Sequence, residues 1–591
     1  MLRRFQIASY IIIGIFVLFT LRLWYLQVIK KSEFISMSHQ NRIRVLKMPA
    51  PRGIIYDRNG FPVVRNVPSF NVFVSTEEWK KDPDASIQPV CELLGLNKAE
   101  FEDKIVKGLK NGIELIKVKE NVSWLELAKL EARKLNYPWI EIDVGLRREY
   151  LYNASAGHVI GHLGYLTDEQ VKDPAYEDVP RTIMVGQKGL EKEYDSVLRG
   201  VSGKEIIEVD ALGRQINILK VVKPIKGRDI TLTLDMSLQL VAEGALGKET
   251  GSIVVIDPRN GEILVLASIP SFDPNMFSKG ISTEDWNALL KDTRKPFLNR
   301  ALQSYYPPGS TFKIVTALAA LQEGIVNPKT HFDCSGVVFM GNSRFRCWKR
   351  SGHGTVNLHR SLVESCDVYY YEVARRLGID RIAMYARSFG LGEPVGLESA
   401  LQEKGGVIPS RAWKLKKIKK PWFPGDTLNA SIGQGYVAAT PVQMAQVIAA
   451  IANDGIIYPP HLIKEKTVSP FAVIGDKKYI HLIKKALRDV VRTSNGTGKD
   501  AASYLISIAG KTGTAQVVSM KKFSKSIKKY RDHAWFVAFA PYEEPNVAMS
   551  VLVEHGGHGG STCAPLAKKV AEAYYYGSKG RAKIAASEKQ Q

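Results

Sequence analysis

The feature that most constrains this chain is an apolar segment that follows the first four residues. Residues 5–29 are apolar except for five positions, which are Gln6, Ser9, Thr20, Arg22 and Gln27. A run of this length can cross a bilayer as one helix, whereas a cleaved secretory signal has a shorter apolar core and a cleavage site of small residues. We therefore expect a short tail at 1–4 and an uncleaved transmembrane anchor at 5–29, with the bulk of the chain after it.

The net charge of +23 implies that the chain has an anionic neighbour. Its basic residues concentrate at 414–420 and 521–531, and we find no zinc knuckle, recognition-helix pattern or interleaved aromatic and basic residues. The anionic neighbour could be nucleic acid, a membrane surface or an anionic polymer, but no motif favours nucleic acid and membrane proximity explains the charge better. A hydrophobic content of 45% argues against general disorder.

Turn and strand patterns divide the rest of the chain into two parts. An Asn59-Gly60 turn between apolar runs predicts one β-hairpin, and 252–267 predict a second that starts a new core. A mostly helical region follows, and then three predicted strands at 505–518, 533–540 and 546–554. We predict an α+β fold with a five-stranded antiparallel sheet covered by helices and an all-α subdomain. The predicted segments are a pedestal at 30–225, a head subdomain around 75–180, a second domain at 226–576 and a flexible tail at 577–591.

Ser310 and Lys313 lie where a Pro-Pro-Gly breaker gives way to strong helix formers. The helix that follows has no polar stripe and ends near Gly324, so we expect it to be buried all round. A separation of three residues puts Lys313 on the same helical face as Ser310. A serine hydroxyl needs an adjacent base, and a buried lysine held neutral by a second cation can be that base. Ser310 is therefore the candidate nucleophile.

Two further motifs follow in an informative order. Ser365-Cys366-Asp367 falls in a helical region, and Lys511-Thr512-Gly513-Thr514 lies on the first of the three carboxy-terminal strands. The order Ser-x-x-Lys, Ser-x-Asp, Lys-Thr-Gly matches the penicillin-recognising serine enzymes. The chain resembles the class B penicillin-binding proteins, most of all the elongation-type penicillin-binding protein 2 group. The resemblance runs nearly end to end, through Arg52-Gly53, Asp57-Arg58-Asn59-Gly60, Gly189-Leu190-Glu191, Gly433-Gln434-Gly435 and His533-Ala534-Trp535-Phe536.

This resemblance implies a peptidoglycan D,D-transpeptidase anchored in the bacterial inner membrane, with its bulk in the periplasm. Ser310 would attack the carbonyl between the two terminal D-alanines of a stem peptide, and Lys313 would accept its proton. Ser365 would relay the proton toward the leaving amine. An amine from a neighbouring strand would release the acyl-enzyme and make a cross-link. A β-lactam would mimic the D-Ala-D-Ala terminus and trap the same serine.

The resemblance also implies how the third motif binds substrate. Lys511 would supply positive potential that helps to keep Lys313 neutral. Thr512, Gly513 and Thr514 would bind the substrate, with the two threonines holding its carboxylate. The backbone N–H groups of Ser310 and Thr514 would form an oxyanion hole, in which each donor is worth about 3 kcal/mol.

Asp367 departs from the commonest family pattern, because many relatives have asparagine at the same position. Elongation-type members are similar to this chain in carrying aspartate there, so we interpret it as a mark of the subtype. A carboxylate cannot donate a hydrogen bond to the substrate as an amide would, and this leaves the substrate contact of Asp367 open.

A cysteine–histidine cluster surrounds the second motif in sequence. Three thiolates and one imidazole suit a tetrahedral structural zinc site, and some members of the penicillin-binding protein 2 group look similar in carrying a metal here. A disulfide in an oxidising compartment, or unpaired thiols, are the alternatives. No metal is needed for the serine chemistry. The residues are Cys334, Cys347, His353 and Cys366.

Two other functions remain open at the level of sequence. A β-lactam sensor or a scaffold would be acylated without turnover, and a β-lactamase would hydrolyse the drug. Sensors usually carry several spans and a cytoplasmic protease segment, and a secreted hydrolase needs a cleavage site and no pedestal. The resemblance implies these partners: stem peptides on glycan strands derived from lipid II, a rod-shape SEDS-type glycosyltransferase and possibly a coiled-coil shape protein.

Overall fold

The computed structural model describes residues 2–31, 43–81, 87–110, 115–180, 183–209, 215–517 and 530–588. All of the predicted basic loop at 521–531 except Tyr530 and Arg531 lies outside these residues. The described chain forms two compact units. The first contains residues up to Gly53, Tyr165–Ile183 and Ser196–Arg228, and the second contains Ile54–Gly164, Met184–Asp195 and the rest of the chain from Asp229. The predicted domain boundaries differ from this division and stay a prediction.

The first unit contains the apolar helix and a small sheet. The helix spans Leu2–Trp24 and continues as a π-helical segment at Tyr25–Ile29. Among the described residues, this is the one helix that is long and apolar enough to cross a membrane. The sheet is antiparallel, with strand Gly203–Val209 between its two partners, Ile43–Met48 and Gln215–Val222.

The second unit begins with a sheet organised around the long strand Pro62–Ser75. The predicted Asn59-Gly60 turn joins this strand to Ile55–Tyr56, and Gly60 takes a φ of +84°, which glycine adopts without strain. The remaining strands of this sheet are Leu115–Val122, Ile140–Tyr150 and Ile230–Thr231. A buried apolar cluster on the sheet includes side chains of three helices, Gln88–Leu94, Lys98–Lys110 and Trp124–Glu131.

A second sheet forms the core of the same unit and has five antiparallel strands. Their order is Ile263–Ile269, Gly251–Ile256, Val547–Val553, His533–Ala540 and Ala509–Ala515. Helices Met236–Leu246 and Gly559–Glu588 pack on one face through residues such as Leu246 and Val570. Helix Pro441–Ala452 contacts three of the strands, and nearly every strand residue is buried, which explains their continuous apolar sequence. The predicted five-stranded antiparallel sheet is confirmed.

Helices pack on this sheet, and the stretch of chain between strands Ile263–Ile269 and Ala509–Ala515 is mostly helical. This arrangement confirms the α+β fold. Helix Lys313–Gln322 is buried at every position from Lys313 to Leu321, as its missing polar stripe predicts. The last helix begins at Gly559 and runs to Glu588. The other helices of the region are Leu358–Val363, Asp367–Leu377, Ile379–Ser388, Arg411–Ile418, Pro424–Ser431 and Lys477–Arg492.

Candidate active site

Ser310 lies on a single 3₁₀ turn, Gly309–Phe312, that leads directly into the buried helix Lys313–Gln322. Gly309 has a φ of +56°, and its N–H donates to the Gly433 carbonyl at 2.9 Å. A Cβ on Gly309 would lie 2.5 Å from the carbonyl oxygen of Thr514. Only glycine fits at this position, so the nucleophile turn packs directly against the strand that carries the third motif.

Lys313 links the first motif to the second. Its side chain is fully buried, and Nζ donates to the Ser365 carbonyl at 2.9 Å and to Asp367 Oδ1 at 2.7 Å. The Ser365 hydroxyl oxygen lies 3.3 Å from the same nitrogen. Within the described chain, the hydrogen bonds of Lys313 Nζ do not include Ser310 Oγ. The amine is therefore held by the second motif, one helical turn from the candidate nucleophile.

The second motif adopts a strained backbone that its neighbours hold in place. Ser365 has a φ of +55°, a left-handed conformation that is uncommon for serine. The Trp348 indole N–H donates to the Ser365 carbonyl at 3.1 Å, and the Trp348 backbone N–H donates to Asp367 Oδ2 at 2.9 Å. Both side-chain oxygens of Asp367 thus accept hydrogen bonds inside the protein. An asparagine has only one oxygen that can accept, and this difference explains why an aspartate occupies a position where asparagine is commoner in the family.

The third motif occupies the edge strand Ala509–Ala515 of the large sheet. Lys511 is fully buried, and burial together with the nearby Lys313 ammonium holds the pKa of Lys511 well below its usual value. The Thr512 hydroxyl lies 2.7 Å from Thr497 Oγ1, and the Thr514 carbonyl accepts from Gln434 Nε2 at 3.0 Å. The outer edge of this strand lies beside the nucleophile turn, where a peptide can add as a further strand.

The four predicted metal ligands converge in space. All are buried, and their ligand atoms lie within 4.8 Å of one another. His353 Nδ1 is 3.5 Å from the sulfurs of both Cys334 and Cys347, while the buried His353 Nε2 has no hydrogen-bond partner among the residues that the structure describes. A hydrogen bond from the Cys366 thiol lowers the pKa of Cys347 and raises that of Cys366. These residues fit a metal ion that takes three sulfurs and one imidazole nitrogen.

The cysteines are all free, so the disulfide alternative finds no support among the described residues. The cluster also touches the second motif directly, because the Asp367 N–H donates to Cys347 Sγ at 3.4 Å. His359, for which the sequence favours a surface position at a helix start over a ligand role, lies in helix Leu358–Val363 with 41% of its side chain exposed and pairs with Asp489 at 3.0 Å.

The structure brings all twelve predicted site residues into two adjoining clusters and adds partners that sequence reasoning missed. Trp348 and Thr497 carry no motif of their own, although Trp348 lies directly after the metal-ligand candidate Cys347. The sequence did point to Gln434, because Gly433-Gln434-Gly435 is one of the segments that carry the family resemblance. A hydroxyl nucleophile, a buried amine and a free strand edge together suit acyl transfer on a peptide.

Comparison with known proteins agrees with this geometry. The penicillin binding protein transpeptidase domain family matches residues 251–572, and the penicillin-binding protein dimerisation domain family matches residues 47–232. The chain is 35% identical over 583 residues to the peptidoglycan D,D-transpeptidase MrdA of Haemophilus influenzae, covering 94% of this chain and 89% of that protein.

Solved structures are similar to the whole described architecture. The complex between penicillin-binding protein 2 and MreC from Helicobacter pylori gives a TM-score of 0.80 at 32% identity and covers 90% of this chain and 99% of that one. A structure of a peptidoglycan synthase complex, described in terms of the structural coordination of polymerization and crosslinking, gives a TM-score of 0.73 at 32% identity. It covers 97% of this chain and 98% of that one. The chain therefore belongs to the class B penicillin-binding proteins, in the penicillin-binding protein 2 group.

Proposed function

We propose that this chain is a peptidoglycan D,D-transpeptidase that cross-links stem peptides during cell elongation through an acyl-enzyme on Ser310. The Ser310 oxygen attacks the carbonyl of the penultimate D-alanine, and the bond to the terminal D-alanine breaks. The amine of an acceptor peptide then takes the acyl group and frees the serine. Water in place of that amine gives carboxypeptidase activity, and a β-lactam acylates the same oxygen.

The observation that carries this proposal is the position of Lys313. Its amine is fully buried one helical turn after the nucleophile and contacts Ser365 and Asp367 within 3.3 Å. Two lysine amines close to one buried carboxylate do not both hold a charge easily, and the lowered pKa of Lys511 reflects this competition. In the proposed step Lys313 acts as the general base and accepts the Ser310 proton, while Ser365 and Asp367 hold its amine in place.

We propose for the remaining site residues the roles that the family resemblance implies. Ser365 Oγ, next to the Lys313 amine, returns the proton to the departing D-alanine nitrogen. Thr512 and Thr514 hold the substrate carboxylate at the edge strand with Gly513 between them. The Lys511 amine lies on the same strand, where burial and the Lys313 ammonium lower its pKa. The backbone N–H groups of Ser310 and Thr514 stabilise the oxyanion, a contribution of about 3 kcal/mol per donor.

We also propose that Cys334, Cys347, His353 and Cys366 hold a structural zinc ion. The chemistry of three thiolates and one imidazole fits Zn²⁺, and the ion would supply rigidity rather than catalysis. Cys347 directly precedes Trp348, and Cys366 directly precedes Asp367. A bound ion that holds these cysteines in place would therefore also hold the second motif in place.

The proposed setting is the bacterial inner membrane. The helix at Phe5–Ile29 acts as a single anchor, and the bulk of the chain lies in the periplasm as a pedestal at 30–225 and a transpeptidase domain at 226–576. The similar structures with MreC and in a peptidoglycan synthase complex support two partners for this chain, a coiled-coil shape protein and a SEDS-type glycosyltransferase that makes the glycan strand.

Intact-protein mass spectrometry with a labelled penicillin tests the nucleophile. We expect a lasting one-to-one adduct on the parent and none on Ser310→Ala, because the acyl bond forms on that oxygen alone. Ser526→Ala, in a second Ser-x-x-Lys spacing of the chain, is the matched control and should label like the parent. Labelling of Ser310→Ala would refute the assignment, and cross-linking of a stem peptide to an acceptor amine then separates a transpeptidase from a sensor.

A further inference from the structure

The basic segment at 414–420 borders an open groove of about 630 Å³ that the proposed catalytic chemistry does not use. Its walls come from the end of helix Asp367–Leu377, from helix Arg411–Ile418 and from the start of helix Pro424–Ser431. The lining is largely apolar, with two guanidinium groups among it. The residues that matter here are Met340, Leu415, Pro421, Trp422, Arg375 and Arg411.

A buried lysine fixes the shape of this groove. Lys414 Nζ lies 2.5 Å from Asp426 Oδ2, and the centroids of the Trp422, Phe423 and Tyr436 rings lie 4.7–5.7 Å from the same nitrogen. An ammonium surrounded in this way by a carboxylate and three rings holds the basic helix against its neighbour. The Trp422 indole N–H also donates to Thr427 Oγ1 at 2.8 Å, so the ring that lines the groove has a fixed orientation.

Positive charge that the protein does not neutralise lies beside the groove rather than in its lining, because both lining guanidinium groups are paired and the lysines of segment 416–420 only border it. Each carboxylate on the lining helices already has a cation: Asp367 pairs with Lys313, Glu372 with Arg375 and Arg376, and Asp426 with Lys414. Arg411 pairs with Asp380 at 3.3 Å. Four exposed lysines have no partner among the contacts of the described chain, and they are Lys416, Lys417, Lys419 and Lys420.

We propose that this groove binds an anionic, peptide-bearing glycan strand, an inference that rests on the proposed transpeptidase function. Sugar rings pack on the apolar floor and the Trp422 ring, while the free carboxylates of the stem peptides meet the four lysines. A flat bilayer surface would contact the lysines but could not enter a concave apolar floor. The groove therefore favours a polymer chain over a membrane.

The position of the groove in the fold suits such a strand. Helix Pro424–Ser431 lines the groove with its first turn, and the chain directly after it reaches Gly433 and Gln434. Those two residues contact the nucleophile turn at Gly309 and the edge strand at Thr514. One short element thus connects the groove to the cleft, and a strand held in the groove presents its peptides to Ser310.

Binding of uncross-linked, peptide-bearing glycan chains to the full-length protein in detergent tests the proposal. A variant with Lys416→Gln, Lys417→Gln, Lys419→Gln and Lys420→Gln should bind these chains at least about tenfold more weakly and lose most of the salt dependence of binding. The matched control removes four exposed lysines elsewhere in the same unit and should bind like the parent. Its changes are Lys279→Gln, Lys291→Gln, Lys466→Gln and Lys485→Gln.

A second variant tests the floor of the groove without a change in charge. Leu415 is 62% exposed, so Leu415→Ser leaves no cavity, and we expect it to weaken strand binding severalfold. Equal binding by the parent and both groove variants would overturn the proposal. So would a groove variant that loses binding to phosphatidylglycerol vesicles while keeping full binding to glycan chains, because the lysines would then serve the membrane.

Acylation by labelled penicillin separates this inference from the proposed function. Penicillin carries no glycan, so its reaction with the parent protein reports the cleft independently of the groove. A parent that is not acylated contradicts the transpeptidase proposal, whereas an acylated parent whose strand binding does not depend on the groove contradicts only the inference.

Discussion

Ser365 keeps its left-handed backbone because two donors from different parts of the chain converge on its carbonyl. One is the Lys313 ammonium at 2.9 Å and the other is the Trp348 indole at 3.1 Å. Trp348 also holds Asp367 through its backbone N–H. A tryptophan that is 57% exposed therefore acts as a positioning residue for the second motif.

Replacement of this tryptophan tests that role. Trp348→Phe keeps the aromatic ring and the backbone donor but removes the indole N–H, a bond worth about 1 kcal/mol. We expect the rate constant for acylation by penicillin to fall about three- to tenfold at saturation, with little change in the dissociation constant of the initial complex or in the melting temperature. Stopped-flow measurements with a fluorescent penicillin would separate the two constants.

Trp286→Phe provides the control for this experiment, because Trp286 is 39% exposed and packs on Phe277 and Phe297 rather than on a motif. It should be acylated at the parent rate. An unchanged acylation rate in Trp348→Phe would mean that Lys313 alone holds the Ser365 carbonyl.

The buried Lys511 lowers the free energy of unfolding, because its amine is held in an environment that disfavours the charged form. Burial and the neighbouring Lys313 lower its pKa in the folded chain, so between that lowered value and about 10.4 the unfolded chain binds more protons than the folded one. Stability must therefore rise with pH across this window. Below the window, the folded chain carries the full cost of a buried ammonium.

Lys511→Met should abolish acylation and yet raise the apparent melting temperature at pH 7–8 by about a few degrees. The gain should shrink as pH rises toward and beyond about 10.4, because the lysine of the unfolded chain then loses its proton as well. Calorimetry at several pH values would measure both effects, with the exposed Lys485→Met as a variant that should change neither. A variant less stable than the parent at every pH would contradict this account.

At the scale of elements, the cysteine–histidine cluster joins the second motif to the hairpins that precede it. Strand His331–Cys334 pairs with Gly354–Asn357, and Val337–Met340 pairs with Ser343–Arg346. These strands are short and solvent-facing, so they bury little apolar surface of their own. A bound ion would supply the stability that such a small core lacks.

We therefore expect one zinc ion per chain in protein purified without chelators, measured by elemental mass spectrometry. Cys334→Ser should lower the zinc content and the melting temperature, because one of four ligands is lost. Acylation by penicillin should slow as well, since Cys366 lies between Ser365 and Asp367. Cys563→Ser, outside the cluster, should keep its zinc, and a parent chain without zinc would contradict the assignment.

The sequence predicted elements well where the signal is local. The buried helix after Ser310 and the hairpin at Asn59-Gly60 follow from periodicity and turn chemistry. The third motif strand was predicted too long, because Ile506 and Ile508 are apolar and buried but lie in irregular chain before Ala509. Burial alone does not distinguish a strand from a packed loop.

Contacts between distant segments could not be predicted in the same way. Nothing in the Ser-x-x-Lys spacing shows that Lys313 pairs with Asp367, or that Trp348 caps the motif between them. Such contacts depend on how two helices and a loop pack, and residue patterns carry no record of that geometry. The motifs could be recognised, but the partner of each motif residue required the fold.

At the scale of the whole molecule, acid sensitivity follows from buried histidines in the large unit. Burial lowers the pKa of His158 and of His533 to about 4, and it lowers the pKa of His162 as well. His158 lies against the Pro296 carbonyl at 2.7 Å, and His162 stacks on Phe277. The folded chain keeps these rings neutral at pH values where unfolded histidine, with a pKa of about 6.5, is already protonated.

Stability should therefore fall as pH drops from about 6.5 toward 4, because the unfolded chain gains protons that the folded chain does not. Each such histidine contributes up to about 1.4 kcal/mol per pH unit within this window. Burial raises the pKa of Glu243 and Glu403, and these two groups favour the folded chain as pH falls. The pH dependence of the parent's stability is therefore the sum of opposing contributions. Single variants isolate the histidine part of it.

His158→Asn removes one titrating ring, so its melting temperature should fall less steeply than that of the parent between about pH 6.5 and 5. His481→Gln is the control, because the His481 ring is 59% exposed; this variant should follow the parent curve. Scanning calorimetry over this range makes the comparison directly. If the parent and His158→Asn lose stability in parallel, groups other than His158 set the acid limit of the fold.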